Sequence, residues 1–249
     1  KLYSQGQGVF DDRRQCAAFL GIPEDDLAVE LVPNGGAFGG KVDSSVTGVA
    51  ERLATEHGRA VRVLYSREDS IRLGAKRPPV AGGAHADGTG VLHVVATPGI
   101  DEVIAAVAPG LAVEHVQVPT ELRTSSDIRG AGWVEAVALV ALATGELTRV
   151  QPPGSGWAEA TVNDDGITVQ VGAGAVLDEV VLRSYCIGAA HMGYSLVMGE
   201  ALAVDQGGIV KDLTVRSFGV VRAADTPTIT IEITDDHGPA VNVSDAVFA

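Results

Sequence analysis

Two periods organise the hydrophobic positions of the chain, and the places where one gives way to the other predict its elements. Residues 27–32 form a short, mostly apolar run that reads as a strand. After Asp43 and Ser44, Val46, Val49, Ala50, Leu53 and Ala54 recur at the spacing of a helix that Gly58 ends. Val61-Arg62-Val63-Leu64-Tyr65 then alternates as a second strand, which would complete a βαβ-like unit. Before this unit, Asp11 and Asp12 are placed to cap a short helix through Cys16, Ala17 and Leu20, with Gly21 and Pro23 stopping it. Further on, residues 91–96 and 113–118 read as strands around a helix over 101–108, and residues 133–144 are the most apolar stretch, about a buried helix long. Asn163-Asp164-Asp165-Gly166 lies between two strand-like runs as the turn of a hairpin. Residues 177–185 fit strand or helix, 188–198 a helix of small residues, and 228–234 alternates as a half-buried strand.

These elements predict a mixed α/β fold with βαβ-like and antiparallel parts around one or two cores. Residues 151–156, rich in Pro and Gly, are the best internal boundary and divide the chain into 1–150 and 151–249.

Between the first strand and its helix runs Asn34-Gly35-Gly36-Ala37-Phe38-Gly39-Gly40-Lys41. Its glycines remove the Cβ barrier to positive φ and let backbone N–H groups approach a ligand closely. At a helix N-terminus such a loop suits an anion, because unpaired N–H groups and the helix dipole point the same way. A tight surface turn is the plain alternative. Gly35, Gly40 and Lys41 also fit the spacing of a phosphate loop, which makes a nucleotide-binding enzyme a further alternative. Val42 argues against it, since that loop needs a Ser or Thr hydroxyl there for Mg²⁺.

Composition narrows the partners. A net charge of −14, with Lys and Arg scattered, leaves no basic footprint for nucleic acid or an anionic membrane. No apolar run reaches the roughly 18 residues that would suggest a membrane helix. Cys16 and Cys186 form no metal-type pair, and a reduced, cytoplasmic protein is expected. The chain opens at Lys1 without an initiator Met or a signal-peptide pattern, so a piece of a longer protein is expected.

Gly35-Gly36-Ala37-Phe38-Gly39-Gly40-Lys41 resembles the Gly-Gly-Gly-Phe-Gly-Gly-Lys loop of the xanthine dehydrogenase/aldehyde oxidase large subunit. Ser66-Arg67-Glu68-Asp69, Lys76-Arg77-Pro78 and the turn at residues 84–88 look like that family's next landmarks, in order. Arg129-Gly130-Ala131-Gly132 is similar to its Arg-Gly-Phe-Gly segment, and Met192-Gly193-Tyr194-Ser195-Leu196 with Ala223-Ala224-Asp225-Thr226-Pro227 resembles its C-terminal run. The resemblance implies a molybdopterin-binding domain, with the cofactor in its plain or cytosine dinucleotide form. It places Gly35, Gly36, Ala37, Phe38, Gly39, Gly40, Arg129, Gly130, Ala131 and Gly132 against that cofactor. It also implies hydroxylation of an aldehyde or N-heterocycle with water-derived oxygen, and partner subunits carrying iron-sulfur clusters and FAD.

A glycine-flanked guanidinium at a helix start, as at Arg129, is a good donor to a phosphate or a developing oxyanion. Catalytic residues are unassigned. The family's Gly-Glu-Pro-like base has no counterpart in residues 241–249, which keeps a non-catalytic, cofactor-holding or assembly subunit as an alternative. Glu135 follows the Arg129 loop closely, and Gln7 resembles a glutamine before the first helix. Cys186 near His191 invites a nucleophile reading, but no third orienting residue accompanies them and a buried cysteine in a packed helix is expected instead. His57, His85, His93, His115 and His237 fall in five separate stretches without metal-ligand spacing, and no metal is assigned to protein ligands.

Overall fold

The computed structural model describes residues 1–35, 40–41, 45–75, 77–118, 124–126, 128–146, 149–211, 214–234 and 236–249. Gly36, Ala37, Phe38 and Gly39, together with Val42, Asp43, Ser44 and Lys76, lie outside them. The fold is mixed α/β, as the periodicities predict, and divides into two compact units, Lys1–Lys76 and Arg77–Ala249. Residues 151–156 therefore fall inside the second unit.

In the first unit, β1 (Leu2–Ser4), α1 (Val9–Leu20) and β2 (Val29–Leu31) make the βαβ unit, with Leu2 opposite Val29 in a parallel pair. α2 (Ser45–His57) follows the glycine loop and packs on α1, and α3 (Arg67–Leu73) closes the unit. Cys16, Ala17, Leu2 and Leu27 form its small core.

Two expectations are corrected here. Residues 61–65 form no strand, and Leu64 and Tyr65 are exposed. Alternation alone cannot hold an extended segment without a neighbour to complete its backbone hydrogen bonds, and β2 pairs with β1 instead. Asp11 and Asp12 do not cap α1, whose N-cap is Gly8. Asp12 is instead buried and accepts a 2.5 Å hydrogen bond from Ser4 Oγ, tying α1 to β1. The predicted stop holds: Gly21 takes the left-handed conformation at φ 67° and its N–H returns to Ala17 and Ala18.

The second unit contains two three-stranded sheets on one continuous core. The first sheet has β3 (Val80–Ala84) antiparallel to β4 (Gly90–Val95) across the predicted turn. α4 (Ile100–Val107) then leads to β5 (Leu111–Val116), parallel to β4. α5 (Trp133–Thr144), the predicted apolar helix, packs against β3 and α4. The second sheet is the predicted hairpin of β6 (Trp157–Asn163) and β7 (Gly166–Gly172), joined in parallel by β8 (Ile229–Ile233). α6 (Glu179–Met198) is continuous where the pattern was ambiguous, because the Asp178 carboxylate caps its start by accepting from Val181 N–H at 3.0 Å. A short α7 (Val215–Phe218) precedes β8, and α8 (Ser244–Phe248) packs on α6 and β6. Among the described residues no helix is long and apolar enough to cross a membrane.

Candidate functional site

The glycine loop leaves β2 and returns just before α2, and its described ends are held by the segment that follows β1. Gln5 Nε2 donates to the Pro33 carbonyl at 3.1 Å, and Asn34 Nδ2 reaches the Gly6 carbonyl at 3.5 Å. At the other end Gln7 N–H donates to the Lys41 carbonyl at 3.2 Å, and Lys41 N–H donates back to Gln7 Oε1 at 3.1 Å. Lys41 Nζ reaches across the loop to Asn34 Oδ1 at 3.2 Å and the Gly35 carbonyl at 3.4 Å. Gly35 and Gly40 are exposed, and the space where a Gly35 Cβ would stand is open for 4 Å. Gly36, Ala37, Phe38 and Gly39 lie outside the described residues.

The second predicted loop belongs to the other unit, at the start of α5. Arg129 has φ 45°, the one non-glycine residue with positive φ among those described. Such a backbone in a non-glycine residue persists only where its surroundings hold it. Its guanidinium is engaged by α8: Nη1 donates to Asp245 Oδ1 at 2.9 Å and to Ser244 Oγ at 2.5 Å, and Nη2 lies 3.8 Å from Met192 Sδ. The Arg129 side chain therefore faces an internal carboxylate, where a freely offered donor is expected. Gly130, Ala131 and Gly132 are buried. The carbonyl of Arg129 accepts from Arg77 Nη1, and Arg77 also donates to Glu135 Oε1, from Nη2 at 2.6 Å and from Nε at 3.2 Å. Glu135 Oε2 in turn accepts from Gly132 N–H at 2.9 Å. Both guanidinium groups lie over the ring of Phe248, at 5.4 Å for Arg77 and 5.7 Å for Arg129.

Periodicity does not single out Arg77, Asp245 or Phe248. The sequence signals for this group are the Lys76-Arg77-Pro78 and Arg129–Gly132 segments of the family resemblance, and only the fold brings residues 77, 129, 135 and 245 together.

Cys186 is the buried cysteine of a packed helix that the sequence leads one to expect, and not a nucleophile. Its thiol is fully buried in α6, and burial pushes its pKa up to about 11, whereas a nucleophile needs the thiolate. His191 Nε2 lies 3.2 Å from the Val221 carbonyl. Cys16 is also buried, and burial raises its pKa. Both thiols are free. Because the folded Cys186 pKa lies above the unfolded value of 9.0, the neutral thiol favours the fold fully below pH 9, and that contribution disappears as pH rises towards 11. Chemical denaturation at pH 8 and pH 10.5 checks this. Cys186→Ala should flatten the loss of stability between the two, and native protein at pH 8 should react with a thiol reagent far more slowly than unfolded protein. Among the described residues no group of three or more His, Cys, Asp or Glu could hold a metal ion.

A strand, a glycine loop with exposed ends and a following helix define a segment that can hold a ligand through its backbone. Residues 1–91 match the molybdopterin cofactor-binding domain family. Over 125 residues, 47% of the chain, it is 32% identical to a probable xanthine dehydrogenase subunit of Bacillus subtilis (strain 168), covering 17% of that protein. Over 69 residues, 28% of the chain, it is 33% identical to the nicotinate dehydrogenase large molybdopterin subunit of Eubacterium barkeri, covering 16% of it. The chain thus spans less than a fifth of the length of these curated relatives. Among solved structures, quinoline 2-oxidoreductase from Pseudomonas putida 86 aligns over 96% of this chain and 47% of its own, with a TM-score of 0.33 at 10% identity. The Cu,Mo CO dehydrogenase aligns over 80% and 38%, with a TM-score of 0.32 at 12% identity. Over these segments the chain is similar to molybdopterin-binding large subunits of the xanthine dehydrogenase type, and residues 1–91 match the molybdopterin cofactor-binding domain.

Proposed function

We propose that this chain is the molybdopterin-holding part of a molybdenum oxidoreductase that hydroxylates an aldehyde or N-heterocycle with oxygen from water. The observation that carries this reading is the glycine loop within residues 1–91, open at Gly35 and Gly40 and braced at both ends. The fit to the cofactor is good at Gly35, where the exposed backbone has nothing within 4 Å of a built Cβ and can be approached closely by a phosphate-bearing ligand. Gly35, Gly36, Ala37, Phe38, Gly39 and Gly40 would hold it from this loop. Arg129, Gly130, Ala131 and Gly132 are the second proposed contact, and there Arg129 would exchange the Asp245 carboxylate for an anionic group of the ligand. The bound cofactor supplies the redox centre, while the protein binds, orients and excludes water. Electrons would pass to iron-sulfur and FAD groups on partner subunits of a cytoplasmic, heteromeric complex.

One observation favours a second reading, a cofactor-holding or assembly subunit without its own general base. Glu135 and Asp245, the two carboxylates at the Arg129 loop, are each committed to a guanidinium. A carboxylate whose oxygen already accepts from a guanidinium must give up that partner before it can reach a ligand's proton.

The test is elemental analysis and release of the oxidised fluorescent pterin from protein produced with its neighbouring gene products. Near-stoichiometric molybdenum with turnover supports the enzyme, and molybdenum without turnover supports the holding subunit. No molybdenum, in a host that loads a related enzyme, overturns both.

A further inference from the structure

Gln7 is exposed, yet it satisfies both backbone groups of Lys41 at once, by the 3.2 Å bond to the carbonyl and the 3.1 Å bond from the N–H. The backbone N–H and the side-chain Oε1 of Gln7 together do what a neighbouring strand would do, at the point where the glycine loop ends. The Lys41 ammonium then spans the loop to Asn34 and Gly35, and Asn34 leans on Gly6, one residue before Gln7. Residues 5–7 and the two ends of the loop thus form a closed hydrogen-bonded ring. Glycine-rich chain loses much backbone freedom when it is ordered, and a ligand that must order it binds more weakly by that amount. Bracing the ends in the free protein removes part of that cost before the ligand arrives.

We infer that Gln7 is a positioning residue for the cofactor loop. Its Oε1 acceptor fixes Lys41, and through the Lys41 ammonium the two ends of the loop are kept at the spacing the ligand needs. This rests on the cofactor reading given above. In this arrangement Lys41 serves the loop by bridging it, which differs from the phosphate-contacting role that its spacing suggests.

The experiment compares Gln7→Leu, which removes the acceptor, with Gln7→Glu, which keeps it, in the full chain made with its neighbouring gene products. Two readouts are taken: exchange of the Lys41 amide by NMR in cofactor-free protein, and molybdenum and pterin content of the complex. Loss of one exposed hydrogen bond should speed Lys41 exchange and lower cofactor occupancy in Gln7→Leu by about five- to tenfold each. Gln7→Glu should restore both to near wild type. Equal cofactor content in wild type and Gln7→Leu, or a loss in Gln7→Glu as large as in Gln7→Leu, overturns the inference. If wild type itself carries no molybdenum, the cofactor reading fails, and the amide exchange still decides whether Gln7 holds the loop.

Discussion

Gly132→Ala should lower the melting temperature by roughly 6–12 °C. Gly132 has φ 83°, and a Cβ built there would stand 2.7 Å from Ile100 Cδ1 and 3.5 Å from Val94 Cγ2. Ile100 and Val94 are fully buried, so neither can turn aside into solvent. The left-handed backbone costs an alanine about 1–2 kcal/mol, and forcing a methyl into a packed core adds about 1–3 kcal/mol. Gly145, at the other end of the same helix, is the control. It has φ 71° and nothing within 4 Å of a built Cβ, so Gly145→Ala meets the backbone term alone. Differential scanning calorimetry of both variants separates the two effects. Equal shifts would show that the packing of α5 against Ile100 does not contribute. The result also bears on the site, because Gly132 N–H is the donor to Glu135 and fixes where the Arg129 loop joins the helix.

The elements read most easily from the chain were those whose signal is local. α5 stands out because its apolar run is bounded by Gly132 and Gly145, and the β6–β7 hairpin because Asn163 to Gly166 is turn chemistry between two strand-like runs. The glycine loop was visible for the same reason. The βαβ unit lies one step earlier than its periodicity suggests, because β1 is only three residues long and, although its burial alternates, Leu2 and Tyr3 stand side by side as two apolar residues. The braces of both candidate loops were hidden for another reason. Arg77 and Glu135 are 58 positions apart, and Arg129 and Asp245 are 116 apart, so no window of sequence contains both partners. Gln7 and Lys41, 34 apart, were separately noticeable, but only the pairing of β1 with β2 brings them into register.

Arg77→Met should destabilise the second unit by about 2–3 kcal/mol, and Glu135→Met should recover part of that loss when the two are combined. The Arg77 side chain is 23% exposed and that of Glu135 34%, so water screens the pair only in part. Removing the guanidinium leaves Glu135 without its cation and the Arg129 carbonyl without a donor, and it also strips the stack on Phe248. An orphaned, half-buried carboxylate accounts for much of the cost. Taking away that carboxylate as well removes the orphan, which is why the double variant should lie at least about 1 kcal/mol above the sum of the singles. Urea unfolding of the four proteins measures the coupling, and additivity within about 0.5 kcal/mol would mean that Arg77 acts through the Arg129 carbonyl and packing on Phe248 and not through Glu135. Coupling would tie the strained φ of Arg129 to a salt bridge formed behind it. In that case the Arg77–Glu135 pair keeps the loop in shape, and the proposed exchange of Asp245 for a ligand at Arg129 would not require the loop to collapse.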